Sequence, residues 1–180
     1  IPLVPPLSDW TNYVEKLPNK LEAVFSLPYE VQNIHADIEK FLVKKQKIQV
    51  KKGHWRMIIL DNNTSGFRQL VLKDNRLLFT RLITLEKGST GYEQKQIDIL
   101  QNQIVGTIEY LRRLNFKESD GINIYFLLDE KLRTFFSGDK MGHYDYYFAT
   151  VHDIADVKGW RKDNYSSTDV SDIFLSTYFI

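Results

Sequence analysis

WRMIILDNNTSGFRQLVLKDNRLLFTRLIT, residues 55 to 84, carries the most regular pattern in this 180-residue chain. Three runs rich in β-branched, aromatic and aliphatic residues, WRMIILD (55 to 61), FRQLVLK (67 to 73) and RLLFTRLIT (76 to 84), are separated by short polar connections. Such runs suit a pleated, half-buried surface, so each predicts a strand. The second connection is Asp74-Asn75, and Asx residues tolerate the left-handed backbone that a tight hairpin turn demands. The first, LDNNTSG (60 to 66), is less plain. Asp61, Asn62, Asn63 and Thr64 suit a turn that bonds its own backbone, and they also suit a loop that contacts phosphate or Mg²⁺.

The elements around this block follow from periodicity. After KGSTG (87 to 91), Ile97, Leu100, Ile104, Ile108 and Leu111 recur at spacings of three and four, predicting a long helix from about Tyr92 to Leu114. INIYFLL (122 to 128) is continuously apolar, as a strand covered on both sides should be. A short helix over Glu130 to Phe136 follows, then a strand YDYYFATV (144 to 151), a helix from HDIADV, and a last helix capped by Thr168 or Asp169. Before the block, Ser8 or Asp9 caps a short helix to Leu17, and LEAVFSL (21 to 27) reads as a strand. Pro28 opens a helix with Val31, Ile34, Ile38, Phe41 and Leu42 on one stripe. KKQKIQVKK (44 to 52) reads as a solvated helix end running into an edge strand. From residue 55 the order is β-β-β-α-β-α-β-α, which predicts an α/β fold with a mixed sheet and helices on its faces. Residues 1 to 54 form an N-terminal extension or partial subdomain.

Composition narrows the function classes. A net charge of +1 provides no global field for nucleic acid or an anionic membrane. The absence of cysteine excludes disulfides and thiolate metal sites. No apolar run is long enough to span a bilayer. The chain starts without Met or a signal pattern and stops on an apolar segment, so it is read as a soluble piece of a longer protein.

The element order is shared by the ribonuclease H-like fold and each half of the actin-like ATPases. Within it, Asp61 at a strand end, Asn75-Arg76-Leu77-Leu78-Phe79-Thr80-Arg81 in the hairpin, the turn Gly88 to Gly91 and Tyr110-Leu111 late in the long helix resemble the PilM- and GspL-type actin-like proteins of type IV pilus and type II secretion assembly, including bundle-forming pilus relatives. The resemblance covers about residues 55 to 115. It implies a noncatalytic cytoplasmic scaffold at the bacterial inner membrane, with the assembly ATPase and membrane platform proteins as partners. It also leaves a homodimer open, and implies membrane contact through segments outside this chain. Nucleotide-binding members place a Gly-rich loop after the acid, where this chain has Asn62 and Asn63. They place a second glycine loop after the buried strand, where it has Asp129-Glu130-Lys131. The resemblance therefore implies a degenerate nucleotide site, and no cofactor is expected.

Three other chemistries compete. A ribonuclease H-like nuclease needs carboxylates from the first strand, the first helix and the end of the fourth strand, and Asp61, Glu93 or Glu109, and Asp129 fall there. GHYDYYFATVHDIAD offers His143, Asp145, His152, Asp153 and Asp156, but the ends of a straight strand lie too far apart for one metal. Asp153 is more simply a first-turn helix acid. Lys44, Lys45, Lys47, Lys51 and Lys52, with Trp55 nearby, read as a solvated face or as contacts for anionic lipid or an acidic partner. No nucleic-acid motif is present, and no serine or cysteine nucleophile signature appears. The aromatic-rich tail from Trp160 to Tyr178 is a further contact candidate.

Overall fold

The computed structural model of the protein describes residues 31–62, 66–84, 92–128 and 144–160, with residues 12, 15, 16, 130 and 132 singly. The described strands are β1 (Trp55–Asn62), β2 (Gly66–Lys73), β3 (Arg76–Ile83), β4 (Ile122–Leu127) and β5 (Asp145–Ala149). The helices are α1 (Ile34–Phe41), α2 (Tyr92–Arg113) and α3 (Val151–Lys158). The strands form one mixed sheet in the order β3-β2-β1-β4-β5. Hairpins make β3-β2-β1 antiparallel, and crossovers make β1-β4-β5 parallel. This is an α/β fold. Of the short helix expected after β4, Glu130 and Leu132 are described, and both are helical. The elements expected at 8 to 27, the Gly88 to Gly91 turn and the last helix lie outside the described residues.

Alternation along β1 sorts the side chains to two faces. Trp55, Met57 and Ile59 join Ile97, Leu100, Ile104, Ile108 and Leu111 of α2 in one core. Ile58 and Leu60 join Ile34, Ile38, Phe41 and Leu42 in a second core under α1 and α3. All six residues of β4 are buried because helices cover both faces, which is why its sequence runs apolar without alternation. Residues 31 to 46 of the N-terminal stretch thus share a core with the sheet.

The β2-β3 turn has Asp74 at φ 50° and Asn75 at φ 63°, the pair of left-handed residues that a two-residue hairpin requires. In β3 the pairing steps from Val71↔Phe79 to Leu72↔Leu77, so Leu78 is an extra, bulged residue. The helical segment at α1 widens into a π turn, Leu42–Gln46, and stops where Lys47 turns left-handed at φ 60°. Its amide and that of Ile48 both return to the Leu42 carbonyl. The edge strand expected after the lysines does not form; residues 47 to 53 are irregular. Side chains take backbone groups that a ladder would have used: the Tyr147 hydroxyl accepts from the Lys51 amide, and Asn123 Nδ2 donates to the Lys51 carbonyl.

Candidate functional site

Open α/β sheets commonly bind ligands at the carboxyl ends of their parallel strands. Asp61 stands at that end of β1. It is half-buried, and alternation puts it on the α2 face with Met57 and Ile59. Asn62 closes β1 by pairing with Gly66, whose φ of 102° suits glycine. LDNNTSG is therefore the connection of a paired hairpin. The Asn62 side chain, Asn63 and Thr64 lie outside the described residues. Leu60 pairs with Leu127, the last residue of β4, and the residue that follows it, Leu128, is buried.

The other acids of the nuclease constellation divide. Glu109 is exposed, and its neighbour Tyr110 packs edge-on against Phe79, which pairs through Val71 to Met57. That level is four residues before Asp61 on β1, roughly 13 Å at about 3.3 Å per residue. Glu109 and Asp61 are not brought together. The Glu93 side chain and Asp129 lie outside the described residues.

At the same end of the sheet, α3 begins with a capping box. Asp153 donates its amide to Thr150 Oγ1 at 3.2 Å, and its carboxylate accepts from the Thr150 amide at 2.8 Å. The acid read from sequence as a dipole partner therefore caps the helix and places a negative charge at its start. Asp145 lies at the other end of β5, where Lys51 Nζ pairs with it at 2.9 Å. His152 is exposed, and His143 lies outside the described residues. Among the described residues no cluster of acids and histidines forms a metal set.

The amino ends of the parallel strands carry the lysine segment. Lys44, Lys45, Lys47, Lys51 and Lys52 are all exposed. Trp55 is a correction: only 2% exposed, it belongs to the core instead of the contact surface. Its indole meets Phe116 edge-on at 5.5 Å, and Lys73 Nζ lies 4.8 Å above the ring.

Two polar clusters escaped the sequence reading. Under α1, the Tyr125 hydroxyl donates to Glu39 Oε1, and Asn123 Nδ2 reaches that hydroxyl at 3.3 Å. Arg56 Nε lies 3.7 Å from Glu39, and Tyr147 stacks on the Tyr125 ring at 5.4 Å. Burial, then the Glu39 carboxylate, pushes the Tyr125 phenol up, while burial pulls the His35 imidazole down. The available signal was Asn123 and Tyr125 two apart in an apolar strand. Under α2, fully buried Gln69 accepts from Arg81 Nε and donates to Met57 Sδ at 3.0 Å. Arg81 Nη2 also donates to the Gln103 carbonyl at 2.7 Å and to Thr107 Oγ1. Desolvation pulls the Arg81 guanidinium below its ordinary value. The arginine closing the hairpin motif thus ties β3 to β2 and α2.

Among the described residues, no helix is long and apolar enough to cross a membrane. Comparison with protein-family models and with curated proteins finds no match for this chain.

Proposed function

We propose that this chain is a noncatalytic scaffold domain of actin-like or ribonuclease H-like architecture in the inner-membrane assembly platform of a type IV pilus or type II secretion system. The observation that carries the reading is the sheet order β3-β2-β1-β4-β5, with its antiparallel hairpin half and parallel crossover half. That arrangement is the one expected of such a fold. The hairpin motif from Asn75 to Arg81 and the Tyr110-Leu111 pair support the narrower family reading. The scaffold acts by binding: the rigid sheet positions exposed surfaces for the assembly ATPase and for membrane components on the cytoplasmic side.

Two features support binding over catalysis. Glu109 faces solvent far from Asp61, and the α3 N-terminus holds its own carboxylate where a phosphate would seek amide donors. The test is calorimetry with the purified assembly ATPase of the same machine and, separately, with ATP and Mg²⁺. The expected result is a saturable complex with the ATPase and no nucleotide heat. Nucleotide binding tighter than about 10 µM overturns the degenerate-site reading, and no association with the ATPase overturns the scaffold.

The half-buried Asp61 at the end of the central strand also favours a second reading, a metal-dependent ribonuclease H-like nuclease using Glu93 and Asp129 as its other acids. Cleavage of nucleic acid with Mn²⁺ that is lost in Asp61→Asn would establish it. No cleavage removes it.

A further inference from the structure

The segment from Leu42 to Lys52 is a strap fixed at both ends and open between them. Leu42 is 1% exposed in the core under α1, and Val50 packs against the same core. The Leu42 carbonyl holds the amides of Lys47 and Ile48, so the intervening residues turn outward as one fixed bend. Farther along, Lys51 is pinned to Asp145 and Tyr147. Between these anchors Val43 is 50% exposed and Ile48 41%, although both are aliphatic. Lys44, Lys45, Lys47 and Lys52 stand around them, and among the described residues these four enter no ion pair. Exposed Lys73 and Arg76 flank the neighbouring β2-β3 turn, where the Asp74 amide donates to the His54 carbonyl just beyond the strap.

We propose that this strap is a peripheral docking surface for anionic lipid headgroups, with the four lysines on phosphate oxygens and Val43 and Ile48 entering the interfacial layer. Charge complementarity alone would serve an acidic peptide as well. The two aliphatic side chains held outward among the lysines decide for lipid, because a bilayer interface accepts apolar groups beneath a layer of anions. The strap lies opposite the carboxyl ends of the parallel strands, so contact with a membrane leaves that end open. This inference deepens the platform reading and rests on it only for the strap's being a contact surface.

The test is co-sedimentation of the protein with vesicles of phosphatidylcholine alone and of equal parts phosphatidylcholine and phosphatidylglycerol. Binding is expected only to the anionic vesicles. It should collapse when salt rises from about 0.1 M to about 1 M, which shortens the screening length from about 10 Å to about 3 Å. Each lysine at an anionic surface contributes roughly fivefold, so Lys44→Ser/Lys45→Ser/Lys47→Ser should weaken partitioning by roughly a hundredfold. Val43→Ser/Ile48→Ser keeps every charge and should also weaken it, and a purely electrostatic contact would not respond. All five substitutions are at exposed positions, and circular dichroism checks that each variant folds. Equal binding to both vesicles, or a triple-lysine variant that binds like the parent, overturns the proposal. So does tight binding of polyglutamate without vesicle binding, which assigns the strap to an acidic protein. None of these outcomes alters the ATPase and nucleotide results, so the two readings fail separately.

Discussion

The cluster of Gln69, Arg81 and Thr107 offers the sharpest check on how the hairpin is fastened to α2. Gln69→Leu roughly preserves side-chain volume but removes the acceptor of Arg81 Nε. The Thr107 hydroxyl keeps a partner, because it already reaches the Gln103 carbonyl at 2.7 Å. The Met57 thioether that Gln69 also reaches is a weak acceptor, so the main loss is one hydrogen bond to a charged group, about 1.5 to 3 kcal/mol. Arg81 is half-buried, so water replaces part of that bond, and the lower end, about 1.5 kcal/mol, is expected. For a chain of this length that corresponds to a fall in Tm of about 3 to 6 °C. Arg81→Met alone should cost about 1 kcal/mol, because it forfeits its donors but also removes a poorly solvated charge. In the double variant nothing charged is stranded and Gln69 no longer needs a donor. Its cost should therefore fall short of the summed single costs by about 1 kcal/mol or more. Urea denaturation of the four proteins, with unchanged m-values, measures the cycle. Additivity within about 0.5 kcal/mol would refute the network, as would a Gln69→Leu cost near zero.

Two further outcomes follow from local geometry. Thr150→Ala removes the hydroxyl of the α3 capping box and should lower stability by about 1 kcal/mol, whereas Thr150→Ser should retain most of it by the same thermal or urea measurement. His35 is 6% exposed with its imidazole pKa depressed by burial, so the unfolded chain binds the extra proton first as pH falls. Its contribution is then complete above the unfolded value of about 6.5 and is lost as pH drops through the interval down to the folded value. Urea titrations at about pH 7.5 and about pH 5.5 should show lower stability in acid. His35→Gln should flatten that difference, and an unchanged slope in the variant rules out this histidine as the cause.

The strands of 55 to 84 were legible because their periods and turn residues act locally. Asp74-Asn75 adopts the turn that its side chains permit, whatever lies around it. The stripe Ile97 to Leu111 likewise names the buried face of α2, and the unbroken apolar run of β4 states that both its faces are covered. The polar interior was not legible. Gln69, Arg81 and Thr107 are far apart in sequence, and only strand register and helix docking bring their polar atoms within bonding distance. Glu39, Tyr125 and Asn123 meet in the same way.

The chain alone therefore determined the mixed α/β plan, the buried stripes and the hairpin turn, since these depend on residue periods and backbone preferences within one element. Tertiary structure decided the fate of the chemical-looking residues. It put Trp55 in the core and left the lysines of the strap outside. It separated Glu109 from Asp61. Each of those outcomes depends on which elements become neighbours, and burial, pairing and charge environment exist only once they have.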